Sequence, residues 1–172
     1  YNSKWTGTPL KPLLKKAGVD PKAMEVVFYG EDTKLETLRP DTRRELEVED
    51  PFGRSLSLEE ALNENCLLAC ERNGEPLAQR HGAPLRLIVP GWYGIANVKG
   101  LTRIELRHQR YVGRYMGRDY VTVRGERWGD KVVNVEHQVG RIRLKSVIAR
   151  VTQRSEQRGK FPLRAYGAAW GD

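Results

Sequence analysis

Cysteine is almost absent from this sequence: two residues, Cys66 and Cys70, among 172. Two thiols do not make a disulfide framework. If the Cys-Leu-Leu-Ala-Cys stretch is extended, about 3.3 Å per residue puts their Cα atoms ~13 Å apart, beyond the reach of a disulfide or a shared metal. Both are expected to be buried free thiols, which leaves the redox compartment open. Long apolar runs are missing as well. Nothing approaches the ~18–20 residues of a membrane helix, and no basic-then-apolar signal sequence opens the chain. Repeats, low-complexity tracts and coiled-coil heptads are absent. A helical membrane span, a disulfide-stapled scaffold and a repeat architecture are thereby excluded.

What is present reads as an ordinary globular chain, with 39% hydrophobic residues, 30% charged residues and a mean hydropathy of −0.62. A chain of this length buries roughly 70% of its unfolded surface, enough for a core without staples, so one domain or one plus a fragment is expected. The opening Tyr1-Asn2-Ser3-Lys4-Trp5 lacks Met and the chain stops abruptly after Trp170-Gly171-Asp172. That pattern is expected of a piece of a longer chain. The net charge of +8 is unevenly placed: residues 101–172 carry 16 Lys and Arg against 7 Asp and Glu, residues 1–100 carry 14 against 15. A basic half suits nucleic acid, an anionic cofactor or substrate, or a solvated face.

Local patterns predict an α+β fold, a mixed β-rich framework with short helices. Thr8-Pro9 before Leu10, Leu13 and Leu14 predicts a helix with Thr8 as N-cap, Pro9 in the first turn and Gly18 as the stop. Glu25–Tyr29 predicts a buried strand ending at Gly30. Residues 31–54 look like a surface excursion with at most a short strand near Leu46–Val48. Ser57-Leu58-Glu59-Glu60 fits a capping box. Leu67–Glu71 followed by Asn73-Gly74 predicts a hairpin. Strands are expected at Leu85–Val89, Leu101–Leu106, Val132–Val135 and Ser146–Val151, while 107–129 shows no clear period.

Chemistry concentrates between His81 and Lys99. Arg86 interrupts an apolar strand, and an unpaired buried guanidinium costs several kcal/mol, so it needs either an internal carboxylate or an anionic ligand. His81 precedes a glycine beside that strand, and Lys99 follows a glycine-containing loop whose backbone allows close approach. Such a grouping suits a phosphate or a polar fused ring.

The run His81-Gly82-Ala83-Pro84-Leu85-Arg86, then Val89-Pro90-Gly91-Trp92-Tyr93-Gly94, then Val98-Lys99 resembles the molybdopterin-binding domain of the sulfite oxidase family. Trp5-Thr6-Gly7-Thr8-Pro9-Leu10 is similar to that family's entry to its first helix, and Phe28-Tyr29-Gly30-Glu31-Asp32 to its Phe-x-Gly-x-Asp strand end. Leu67-Leu68-Ala69 before Asn73-Gly74-Glu75-Pro76-Leu77 resembles its hairpin, and Arg118-Asp119-Tyr120 falls where it has Asp-Tyr.

The resemblance implies residues 1–160 as a molybdopterin-binding domain and 161–172, with Ala169-Trp170, as the start of an immunoglobulin-like dimerisation domain. It implies a molybdenum cofactor held by Asp32, His81, Arg86, Lys99 and the backbone at Asn97 and Val98. Tyr120 becomes the catalytic side chain beside the substrate pocket. The implied reaction is oxygen-atom transfer to sulfite, with a cytochrome or haem domain accepting electrons and a homodimer as the full assembly. No metal ligand is assigned, because the family's cysteine lies upstream of the Trp-x-Gly motif. Gly100 stands where the family usually has Trp. Nitrate and sulfoxide reductases of the same family are the nearest alternatives. A non-enzymatic reading rests on Arg103, Arg107, Arg110, Arg114, Arg118 and Arg124 interleaving with Tyr111, Tyr115 and Tyr120, as on surfaces for single-stranded nucleic acid.

Overall fold

The computed structural model describes residues 3–38, 46–153 and 162–171. They divide into two compact units, 1–140 and 141–172. The boundary expected at 160/161 lies outside the described residues. No described helix is long and apolar enough to cross a membrane.

In the first unit, β1 (Trp5–Pro9), β4 (Leu67–Arg72) and β5 (Glu75–Pro76) form one antiparallel sheet, with β6 (Arg86–Ile88) also pairing with β4. A second sheet runs in the order β3 (Leu46–Ser57), β2 (Glu25–Leu38), β7 (Leu101–Arg107). Between them lies the core: Val26, Phe28 and Leu56 of the second sheet meet Leu68 and Leu87 of the first, with Leu10 and Leu14 of α1 (Leu10–Ala17) and Val98. Fully burying an aliphatic or Phe side chain contributes roughly 1.5–3 kcal/mol, so this cluster holds the two sheets together. β8 (Val121–Trp128) and β9 (Lys131–Gln138) form a further hairpin after the short helix α3 (Arg114–Gly117). In the second unit β10 (Lys145–Gln153) pairs antiparallel with β11 (Leu163–Trp170).

The fold is the β-rich α+β class that the sequence patterns predict. The capping box forms, with Ser57 Oγ accepting from the Glu60 N–H at 3.2 Å ahead of α2 (Leu58–Ala61). Asn73 (φ 56°) and Gly74 (φ 85°) make the β4–β5 turn, both in the left-handed region that an Asn-Gly pair favours.

Other expectations change. The first helix ends at Gly18 as predicted, but Thr8 does not cap it. Thr8 and Pro9 are extended and pair with Leu68 and Leu67, so Pro9 occupies the cap position without a side-chain bond. Gly30 does not end β2. The strand continues to Leu38 and pairs with β3 from Thr33↔Pro51 to Leu38↔Leu46. This arm is mostly solvated, so no burial period betrays it; cross-strand pairing holds it. The 107–129 stretch yields α3 and β8, and the strand at 85–89 shrinks to three residues. Cys66 is buried as expected, whereas Cys70 is exposed.

Candidate functional site

The site is built where β6 and the loop after it are laid against β4. Pairing of Arg86 with Ala69 places its guanidinium beside that of Arg72, three residues along β4. Both stand over the Trp5 ring of β1, Arg86 at 5.2 Å and Arg72 at 5.8 Å from its centroid. Arg72 Nε donates to Ser3 Oγ at 2.8 Å, and its Nη1 lies 2.8 Å from His81 Nε2. Arg86 Nη1 donates to the His81 carbonyl at 3.1 Å, and its Nε is buried with no hydrogen-bond partner.

Gly82 makes the next contact possible. It ends the turn Gln79–His81 at φ 98°, and a Cβ there would lie 2.7 Å from Lys99 Cβ and 2.8 Å from Lys99 Cα. Only glycine lets the two segments touch. The Gly100 N–H then donates to the Gly82 carbonyl at 3.2 Å, and the Leu87 N–H to the Val98 carbonyl at 2.9 Å.

His81, Arg86 and Lys99 are thus brought together, joined by Arg72 and Arg80. The consequence is electrostatic. Burial first, then the positive charges of Arg72, Arg80, Arg86 and Lys99, holds the His81 imidazole below its ordinary value of 6.5. Burial and Arg72 likewise disfavour the charge on Arg86. None of the ion pairs among the described residues involves Arg72, Arg80, Arg86 or Lys99. Four like charges around an imidazole that resists protonation, with an orphaned buried N–H, are an arrangement that suits an anion.

The remaining predicted residues stand differently. Asp32 is exposed on the irregular stretch of β2 between Tyr29 and Thr33. Its neighbour Glu31 reaches the cluster, its N–H donating to the Gly100 carbonyl at 2.8 Å and its Oε2 lying 3.4 Å from Gln79 Nε2. Asn97 turns its side chain inward, Oδ1 accepting from the Val89 N–H at 2.6 Å, and Val98 is fully buried. At both positions the side chain is committed to the core loop.

Tyr120 belongs to an aromatic cluster. Its ring, 40% exposed, meets Phe52 edge-on at 6.4 Å and Tyr115 at 6.5 Å between centroids. Gly30 lies between Phe52 and the Lys99 backbone: a Cβ on it would lie 3.8 Å from Phe52 Cδ1 and 2.7 Å from the Lys99 carbonyl oxygen. Arg54 of β3 is 1% exposed. Its Nη1 donates to the Tyr115 carbonyl at 2.5 Å, its Nη2 donates to the Val139 carbonyl, and its Nε has no partner. Burial lowers its pKa to about 10, so it stays charged at neutral pH.

The sequence reading marks Trp5 only as part of the helix-entry motif and does not mark Arg72 or Arg54. No local pattern gives any of the three a place in the cluster, because each matters through a strand partner or a segment far along the chain. Three of the six arginines in the basic-aromatic interleaving make internal contacts. Arg114 pairs with Glu36 and Asp119, and Arg103 and Arg107 lie 4.1 Å and 5.8 Å from the ring centroids of Tyr29 and Tyr111.

The cation cluster lies wholly within residues 1–115, which match the family model described as the oxidoreductase molybdopterin binding domain. The chain belongs to this family. It is 38% identical over 122 residues to the mitochondrial sulfite oxidase of Drosophila melanogaster, covering 69% of the chain and 19% of that protein. It is 41% identical over 102 residues to the methionine-sulfoxide reductase catalytic subunit MsrP of Gluconobacter oxydans, covering 59% of the chain and 32% of that protein. In structure it is similar to the sulfane dehydrogenase SoxCD of Paracoccus pantotrophus, with a TM-score of 0.63 and 28% identity, over 86% of this chain and 32% of that one. The chain therefore spans about a fifth to a third of the length of these relatives.

The cofactor implied is the molybdenum cofactor, a metal-bearing pterin with a phosphate. The residues fit such a group. The orphaned Arg86 Nε, the cations and the glycine cradle between Gly82 and Lys99 supply donors and positive charge without a competing carboxylate ion pair among the described residues.

Proposed function

We propose that this chain is the pterin-holding part of an oxidoreductase that oxidises sulfite to sulfate by oxygen-atom transfer. The observation that carries the reading is the convergence of Arg86, His81 and Lys99, with no ion pair to any of them among the described residues, inside a molybdopterin-binding domain. Arg86 and Lys99 hold the anionic end of the cofactor, His81 donates from one ring nitrogen, and Asp32 and the backbone at Asn97 and Val98 meet the pterin edge. The bound group supplies the two-electron redox chemistry, and the protein supplies position and charge. Tyr120 faces the substrate, its hydroxyl donating to the reacting oxygen while its ring is held by Phe52 and Tyr115. A dianionic substrate suits the surrounding positive charge. The partners of this reading are a cytochrome or haem electron acceptor and a second copy of the full-length protein. In it, residues 1–160 make up the cofactor domain and 161–172 open a dimerisation domain.

Similarity to MsrP at 41% identity favours a second reading, reduction of a sulfoxide on the same cofactor. The test is made on the full-length protein, measuring molybdenum, pterin released by acid oxidation, and turnover of sulfite and methionine sulfoxide. Arg86→Ala should strip molybdenum and pterin. Tyr120→Phe should keep both and lower kcat/KM for sulfite by roughly 30- to 1,000-fold, the size of a ~2–4 kcal/mol transition-state contact. Metal lost from Tyr120→Phe and kept by Arg86→Ala would reverse the two roles and sink the site. Turnover of methionine sulfoxide without sulfite oxidation selects the second reading.

A further inference from the structure

Arg54 is an odd residue to find at the centre of this fold. It is 1% exposed, its neighbours in the β2–β3 pairing are core residues such as Phe28, and it takes part in no ion pair among the described residues. A Leu or Met would fill similar space without desolvating a charge. What an apolar side chain would lack is donors. Two backbone carbonyls converge here, Tyr115 from α3 and Val139 from just beyond β9, and the guanidinium donates to both through different nitrogens. Neither carbonyl belongs to a sheet ladder, and the Arg54 guanidinium satisfies both from the interior.

Those two carbonyls flank Tyr120. Tyr115 lies on the chain leading into it, and the Val139 N–H donates to the Tyr120 carbonyl at 3.1 Å. Phe52, two residues before Arg54 on the same strand, touches the Tyr115 and Tyr120 rings at 5.1 Å and 6.4 Å between centroids. One rigid strand of the core thus grips the Tyr120 segment twice, by ring contact at Phe52 and by two hydrogen bonds at Arg54.

We infer that Arg54 is the positioning residue of Tyr120, fixing from the closed interior where its phenol stands relative to the substrate. The inference rests on the reading that Tyr120 faces substrate. Arg54 touches neither substrate nor cofactor; it acts through the backbone on either side of the tyrosine.

A double-mutant cycle on the full-length holoenzyme tests it, with sulfite turnover and molybdenum content read together. Arg54→Met, which fills the volume but offers no donor, should lower kcat/KM at least about tenfold with molybdenum retained. In a Tyr120→Phe background the same substitution should cost less than about threefold, because no phenol is left to place. Arg54→Lys, which keeps the charge but reaches one carbonyl, should lose an intermediate factor. It carries the cycle if the Met variant fails to fold. Equal losses in both backgrounds, or molybdenum falling in step with activity, would reduce Arg54 to a structural tie and overturn the inference alone. A fully active Tyr120→Phe would instead overturn the placement of Tyr120, leaving Arg54 nothing to position.

Discussion

Arg86 and Arg54 both carry a buried guanidinium Nε without a hydrogen-bond partner, and the surroundings make different use of that deficit. Arg54 spends its other nitrogens on backbone carbonyls, whereas Arg86 keeps an unfilled donor beside three further cations. His81 records the crowding. An unfolded chain takes up its proton near pH 6.5, but the folded chain resists it, because burial and four positive charges oppose the imidazolium. Unfolding therefore takes up a proton below that pH, and stability should fall as the pH drops from about 6.5, levelling once the folded imidazole is also protonated. Chemical denaturation between pH 8 and pH 5 checks this, and His81→Gln should flatten the His81 part of the profile. An anion seated in the cluster reverses the sign at this residue. Its charge favours imidazolium, so binding should tighten as pH falls through the same range.

At the scale of elements, two glycines separate close packing from backbone conformation. Gly7 lies where the β1–β4 register shifts, and a Cβ there would be 2.0 Å from the Leu68 carbonyl oxygen and 2.6 Å from Ala69 Cα. Backbone on both sides leaves nothing to move aside. Gly7→Ala should cost about 3 kcal/mol or more by prising β1 from β4, which lowers Tm by roughly 6–12 °C for a chain of this size. Gly18 has nothing within 4 Å of such a Cβ, and only its φ of 86° resists substitution. Gly18→Ala should therefore cost only about 1 kcal/mol. Differential scanning calorimetry of the two variants ranks them; equal losses would mean that β1 is not clamped as described. Ser57→Ala, which removes the capping-box acceptor, should cost about 1 kcal/mol as well.

For the whole molecule, the concentration of cations without an ion pair among the described residues predicts how ligands affect stability. Four like charges repel one another in the free protein, and any anion that seats among them stabilises the folded state by mass action. Inorganic phosphate should raise Tm relative to chloride at matched ionic strength. At ten times its dissociation constant the gain is about 1.4 kcal/mol, or roughly 3–6 °C. Arg86→Ala should abolish the difference. A phosphate effect that survives that substitution would place the anion elsewhere on this basic chain.

The sequence by itself determined the family, the β-rich class and the local punctuation. Glycine, proline and capping residues act within a few positions, so Gly18, Ser57–Glu60 and Asn73-Gly74 could be read without knowing any partner. The His81–Lys99 grouping was legible for a similar reason, since its members lie within nineteen positions around glycine turns. Only the tertiary structure decided the rest. Thr8-Pro9 became a strand end because β4, some sixty residues away, supplied the pairing. The arm of β2 and β3 has few buried side chains to give a period. Arg72 reached His81 through the β4 register and the turn that follows, and Arg54 acquired its partners from positions 61 and 85 residues later. Pairing and burial of that range depend on which segments meet, and no window of sequence contains both sides of the contact.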